Sequence, residues 1–288
     1  MQCKNLEEVR VKIDKIEELG KQMNILQEIT EKRKIDIARR KEKISLNAIK
    51  MLATKKAEQE KEKQGEFLLP FQSNLSKEGI QFICEVKKAS PSKGIIAQDF
   101  PYLEIAQAYE EAGAAAISVL TEPEYFLGSD EYLKEIVEKV KIPVLRKDFT
   151  IDAYQIYEAK MLGASAVLLI CSLLEEETLS EFLEIAHSLG LSALVETHNE
   201  EEIKRALSVG AKIIGVNNRD LKNFTVDITN SIRLRKLVPK DVLFISESGI
   251  QTAQDIATLK EHGVNGVLMG ESFMRCEDKK KKMRELNG

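Results

Sequence analysis

Eight short β-branched apolar runs, each followed by a helix-length amphipathic segment, predict a (β/α)8 barrel of the TIM type, an α/β fold, with an N-terminal helical extension. Two further observations carry the prediction. Several segments hand a helix to a strand through glycine, as in EAGAAAISVL, MLGASAVLLI, SLGLSALVE, SVGAKIIGVN and EHGVNGVLMG, where glycine allows the left-handed turn that stops a helix. Polar and charged residues gather at the C-terminal ends of the runs, the end where such barrels work.

The first sixty or so residues are rich in Lys, Glu and Arg, and ILQEITEKRKIDIARR and SLNAIKMLA space their apolar residues as helices do. The run KKAEQEKEKQGE, residues 55–66, is almost free of apolar side chains and reads as a solvated helix end or a linker. Residues 1–68 are therefore expected to form a helical extension packing on the barrel and its linker, and residues 69–288 the catalytic barrel.

The runs are QFICEV (81–86), AAISVL (115–120), IPVLRK (142–147), AVLLIC (166–171), SALVE (192–196), KIIGVN (212–217), VLFISE (242–247) and NGVLMG (265–270). Proline introduces two of them, in VKIPVLRK and LVPKDVLFI. A doubly wound open sheet is the main rival. It usually has fewer strands and often a glycine-rich dinucleotide loop after the first, whereas here the first run enters EVKKASPSKG, which lacks GxGxxG.

Composition sets limits on partners. A net charge of -4 and a pI of about 5.7 argue against nucleic acid as a partner. No apolar stretch is long enough for a membrane span, and MQCKNLEEVR lacks a signal-peptide core, so a cytoplasmic protein without a membrane partner is expected. Cys3, Cys84, Cys171 and Cys276 form no CxxC pair, and His187, His198 and His262 do not cluster, so neither a disulfide framework nor a metal site is expected. Cys84 and Cys171, inside apolar runs, read as packing residues.

The C-terminal ends of the runs supply the candidate chemistry. The first gives Glu85 and Lys87, the third Lys147 and Asp148, the fifth Glu196, the sixth Asn217 and Arg219, and the seventh Glu247 and Ser248. Residues two apart on a strand share a face, so Glu85 and Lys87 point together, as do Asn217 and Arg219. Within RKD at 146–148, Lys147 then points into the barrel mouth and Arg146 outward toward the helices. A mixed-sign group in a partly desolvated mouth can bring lysine or glutamate to a pKa suited to proton transfer; the competing reading is a set of salt bridges capping the barrel.

The glycine-containing turns ESGI (247–250) and GESF (270–273) suit a phosphate, with Ser90 and Ser92 as added donors; ordinary N-capping by Ser248 or Ser272 is the alternative. Phe126, Phe149, Leu168 and Leu221 suggest a ligand with an aromatic half, or are simply core. His198 is equally compatible with a solvent loop and with a site neighbour.

EVKKASPSKG, ISVLTEPEYFLGS, PVLRKDFTIDAYQIYEAKMLGA, LVET, GVNNRDL, SESGI and LMGESFMR together resemble the motif series of the indole-3-glycerol phosphate synthases of tryptophan biosynthesis, in order, over roughly residues 25–277. EVKKASPSKG and LRKDFTIDAYQIYEAK are highly specific to it, while SESGI is shared with other phosphate-binding barrels. The resemblance implies a carboxy-lyase that converts 1-(2-carboxyphenylamino)-1-deoxyribulose 5-phosphate to indole-3-glycerol phosphate without a cofactor. It implies Lys147 as general acid for ring closure and Glu196 as base for dehydration. Lys87 would engage the substrate carboxylate and serve as the dehydration acid. Glu85, Asn217, Arg219 and Glu247 would orient these groups. Ser90, the Ser248-Gly249 turn and the Gly270-Glu271 turn would hold phosphate, Glu271 through its backbone N–H. Phe126, Phe149, Leu168 and Leu221 would line the anthranilate pocket, and Asp148 would be a structural partner for a nearby cation. The expected partner is that small-molecule substrate, with the chain a monomer or weak homo-oligomer. About twenty residues at the N-terminus precede the resemblance and read as an amphipathic helix. Two other readings stand beside it: a Schiff-base aldolase-like barrel using Lys147, and a non-catalytic phosphosugar sensor.

Overall fold

The computed structural model describes residues 25–220 and 225–287. The amphipathic reading of the first twenty residues and the candidate Leu221 fall outside that range. The strands are β1 (Gln81–Val86), the hairpin β2 (Ala89–Ser90) and β3 (Gly94–Ile95), β4 (Ala116–Leu120), β5 (Val144–Lys147), β6 (Ala166–Ile170), β7 (Ser192–Thr197), β8 (Ile213–Asn217), β9 (Leu243–Glu247) and β10 (Gly266–Met269). All but β2 and β3 pair in parallel, each with its chain neighbour, and β1 closes the ring by pairing with both β4 and β10. The sheet is thus a closed barrel and not the open-sheet rival. Proline has no N–H for a ladder, so β5 begins after Pro143. Cys171 leaves β6 and starts a 3-10 turn instead.

Strand alternation builds two cores. Ile83, Leu145, Leu168, Leu194, Ile213, Ile245 and Leu268 point inward and fill the barrel. Their neighbours, among them Cys84, Val144, Val167, Val195, Ile214, Phe244 and Val267, point outward and pack under the surrounding helices. These are α1 (Ile25–Lys43), α2 (Leu46–Gln64), α3 (Pro70–Leu75), α4 (Tyr102–Ala112), α5 (Asp130–Lys139), α6 (Ala153–Leu162), α7 (Glu176–Ser188), α8 (Glu200–Ser208), α9 (Thr229–Arg235), α10 (Ala253–Glu261), α11 (Glu271–Met274) and α12 (Lys279–Asn287).

Short α3 starts at Pro70, whose missing N–H costs nothing at a helix start, and sends Phe71 and Leu75 into the inner core. Each such fully buried side chain contributes about 1.5–3 kcal/mol.

The extension docks through specific residues. Ser45 caps α2 by accepting from Ala48 N, and the helix runs to Gln64 before the left-handed Gly65, so residues 55–64 are helix and not linker. Its buried positions Ile49, Ala53 and Ala57 repeat every four residues, and the two alanines let it lie close against α6. Lys160 on α6 reaches back to Glu60 at 2.5 Å. On α1 the buried stripe is Ile29, Arg33 and Ile37, so a guanidinium occupies a core position. Among the described residues, no helix is long and apolar enough to cross a membrane.

Candidate active site

The alternation that fills the barrel also aims its polar layer. Two residues beyond the inward apolar residues on β1, β5, β7 and β9 lie Glu85, Lys147, Glu196 and Glu247, and on β8 Asn217 lies two residues beyond the inward Gly215. Register pairs Asn217 with Glu247 and Glu196 with Gly215. Lys147 Nζ is 3.2 Å from Glu196 Oε2 and 3.5 Å from Glu247 Oε2. Asn217 Nδ2 donates to Glu196 Oε1 at 3.3 Å, and the Asn217 amide oxygen accepts from Arg219 N at 3.0 Å. Lys87 forms an ion pair with Glu85, as two residues sharing a face can.

Burial and charge set the protonation states. Burial alone would lower the Lys147 ammonium, but Glu196, Glu247 and Glu85 outweigh it and hold the pKa well above the ordinary lysine value. Burial raises the Glu196 carboxyl, and Lys147 and then His198 more than reverse this, leaving it below its ordinary value. Glu247 differs: burial raises it, Lys147 pulls it down, and Glu196 and Glu85 push it back up, to about 7. At neutral pH the cluster therefore presents an ammonium beside a carboxylate, the starting states of a general acid and a general base.

Two glycines make this cluster possible. A Cβ at Gly215 would collide with Glu247 Oε1, and one at Gly270 would collide with Glu85 Oε1 and come within 3.0 Å of Lys87 Nζ. Each leaves room for a glutamate side chain to lie across a neighbouring strand.

Every described candidate lines one cavity of about 1120 Å³ at this end of the barrel. Its lining includes Ser90, Ser248, Gly249, Gly270 and Glu271, together with the cations Arg219, Lys93, Arg275 and Lys282. Ser248 (φ 68) and Gly249 (φ 85) are both left-handed, and for serine that conformation costs about 1–2 kcal/mol. Ser248 is not an N-cap. Helix α10 starts only at Ala253 and is capped by Thr252, and α11 is preceded by Gly270 without a side-chain cap, so of the two glycine turns only the second opens a helix directly. The Glu271 side chain turns toward Lys93 (3.6 Å) and Arg275 (3.1 Å), away from the backbone N–H groups of its own turn.

Phe126 and Phe149 lie with ring centroids 5.9 Å apart, and Leu168 and, from α1, Leu26 and Ile29 line the same cavity. Glu122, 1% exposed, holds the turn that presents Phe126 by accepting from the backbone N–H groups of Glu124 (3.0 Å), Tyr125 (2.7 Å) and Phe126 (2.9 Å). Asp148 does not face the cluster. It accepts from Arg33 at 2.9 Å and Thr121 at 2.6 Å, with Arg146 at 3.5 Å, and so ties α1 to the end of β5.

The resemblance implies that ILQEITEKRKIDIARR lies over the barrel top, and Ile25, Leu26 and Ile29 do line the cavity; sequence reasoning missed Glu122, Gly215, Lys93, Arg275 and Lys282. ILQEITEKRKIDIARR was legible as a helix, but only the folded chain shows which of its residues reach the mouth. Cys84 and Cys171 are buried, and burial pushes the first thiol well above its ordinary value and the second to about 12, so neither is a nucleophile. Among the described residues, no group of three or more His, Cys, Asp or Glu could hold a metal ion.

Comparison with known proteins agrees with this geometry. The family model "Indole-3-glycerol phosphate synthase" matches residues 26–286. An indole-3-glycerol phosphate synthase of Ruminiclostridium cellulolyticum is 53% identical over 264 residues, which is 92% of this chain and 99% of the relative. One from Endomicrobium trichonymphae is 62% identical over 216 residues, 75% of this chain and 84% of the relative. Among solved structures, a 3-hexulose-6-phosphate synthase superposes with a TM-score of 0.59 at 16% identity, over 72% of this chain and 98% of the other, a likeness of fold alone. The chain belongs to the indole-3-glycerol phosphate synthase family.

Proposed function

We propose that the barrel is a carbon-carbon lyase that closes, decarboxylates and dehydrates 1-(2-carboxyphenylamino)-1-deoxyribulose 5-phosphate to indole-3-glycerol phosphate. The observation that carries this reading is the Lys147 ammonium 3.2 Å from the Glu196 carboxylate, between an aromatic slot and a turn rich in backbone donors. The anthranilate ring fits between Phe126, Phe149 and Leu168. The phosphate fits the Ser248-Gly249 and Gly270-Glu271 turns, with Ser90 as a further donor.

In ring closure the aromatic carbon bearing the carboxylate attacks the ketone, and negative charge grows on the ketone oxygen. Lys147 protonates that oxygen. Carbon dioxide then leaves and returns its electron pair to the ring system. In dehydration Glu196 takes a proton from carbon while Lys87, paired with Glu85 and placed to meet the substrate carboxylate, helps the hydroxide depart. Asn217 and Arg219 orient Glu196 and the ribulose hydroxyls, and Glu247 shares the Lys147 charge. Residues 25–68 serve this barrel as a cover, through Leu26 and Ile29 on α1.

The strongly raised pKa of Lys147 argues against the aldolase-like alternative, because a Schiff base needs the neutral amine. Borohydride with a carbonyl substrate is expected to trap no adduct. The sensor alternative fits poorly with an acid and base both in starting states.

The test is indole fluorescence formed from the substrate by the wild type, and its absence while the substrate still binds would overturn the reading. In Glu196→Gln, single-turnover indole formation is expected to fall by on the order of 10²–10⁴. Release of carbon dioxide in the same turnover should persist, because the base acts after decarboxylation. Equal loss of both signals would remove Glu196 from the dehydration step.

A further inference from the structure

His198 lies two residues beyond Glu196, and the mechanism above leaves it unused. Its side chain is 18% exposed, and its two ring nitrogens face two carboxylates. Nδ1 is 3.1 Å from Glu202 Oε2. Nε2 is buried, has no hydrogen bond among the described residues, and faces Glu196 Oε1 at 3.5 Å.

Glu202 is itself fixed. Its Oε2 also accepts from His198 N at 2.8 Å, its Oε1 accepts from Asn199 Nδ2 at 2.9 Å, and its backbone N–H donates to the Asn199 side chain at the start of α8. A carboxylate only accepts, so the Nδ1 position carries the proton. A neutral ring would then aim the Nε2 lone pair at the lone pairs of Glu196. A protonated ring aims an N–H instead, so charge on His198 and charge on Glu196 favour each other.

We propose that His198 is a positioning residue for Glu196: held by Glu202, its imidazolium points Nε2–H at Glu196 Oε1, keeping this base ionised and leaving Oε2 to face Lys147 and the substrate. The inference rests on the role given to Glu196 above.

The surrounding charges agree. Burial would lower the His198 imidazolium, but the bond to Glu202 and the charges of Glu196 and Glu247 raise it above the ordinary histidine value. Lys147 opposes it from the far side of Glu196, on the other carboxylate oxygen. From α9 the neutral Asn230 amide approaches, donating to the His198 carbonyl at 3.2 Å.

His198→Gln can donate to Glu196 but carries no charge, and His198→Ala does neither. In single-turnover indole formation, both variants are expected to move the acidic limb of the rate to higher pH by about one unit, because Glu196 loses a cation that favours its ionised form. At pH 7 the rate should stay close to wild type with substrate KM nearly unchanged, because a carboxyl held below its ordinary value and moved up by about one unit is still ionised there; the several-fold deficit should open as pH falls through the limb. A merely structural role would spare His198→Gln and leave the limb in place.

The second measurement needs no turnover. Nuclear magnetic resonance titration of the His198 ring in Glu196→Gln should give a pKa about one unit below wild type. An unmoved ring titration overturns the inference whatever the activity. If the ring titration moves but the wild type forms no indole, the pairing stands and it is the proposed reaction that fails.

Discussion

Replacing Lys147 with methionine is expected to lower single-turnover indole formation by on the order of 10³-fold or more, about 4 kcal/mol in the barrier, while leaving the folded barrel intact. The reason lies in what Lys147 touches. Its Nζ sits between Glu196 at 3.2 Å and Glu247 at 3.5 Å, and no other described cation touches both. Without it the developing alkoxide of ring closure has no proton donor at the ketone, and carbon dioxide release is lost along with indole. That pattern separates Lys147→Met from Glu196→Gln, which spares decarboxylation. Stability is expected to change little. Glu247, with a pKa already near 7, takes up a proton when the ammonium is gone, and Glu196 keeps Asn217 and His198 beside it. Substantial carbon dioxide release by Lys147→Met, at a tenth of the wild-type rate or more, would remove Lys147 from the first step.

The direction of these side chains is legible in the amino-acid sequence. Period-two alternation along IPVLRK puts Lys147 in the mouth and Arg146 among the helices, and the folded chain places them so. The same rule groups Glu85 with Lys87 and Asn217 with Arg219. Every contact set by distant chain stays hidden. Arg33 stands 115 positions from Asp148 and looks like any helix-surface arginine, yet it is 1% exposed and completes that aspartate. Gly215 reads as a weak point in an apolar strand, and only the Glu247 side chain lying over it explains why no Cβ fits. His198 is balanced between loop and site in the sequence because its role depends on Glu202, whose orientation is set by the cap of the next helix. Local periodicity fixes which way a residue points, and tertiary packing decides what it meets there.

Arg146→Met is expected to show the opposite signature from its neighbour: a loss of about 3–5 kcal/mol in unfolding free energy, measured by urea titration, with chemistry failing only as folded protein is lost. Arg146 is 2% exposed, and its guanidinium donates to Asp130 at 2.8 Å, Glu158 at 2.7 Å, the Gln155 carbonyl at 2.9 Å and Thr121 at 3.2 Å. Methionine fills similar space but satisfies none of these acceptors. Asp130 and Glu158 would then share Arg40, and Asp148 would keep Arg33 and the Thr121 hydroxyl. Removing one partner from a buried ionic network costs more than the network contributes, because the remaining charges stay where water solvates them poorly. The fault would also travel. Arg40 and Arg33 belong to α1, and Asp148 adjoins both Lys147 and Phe149, so a disturbed network loosens the helix over the mouth and the strand end that carries the acid. Limited proteolysis should then cut near α1 sooner in Arg146→Met than in Lys147→Met. An Arg146→Met protein as stable as wild type would show that the network is dispensable and that α1 is held without it.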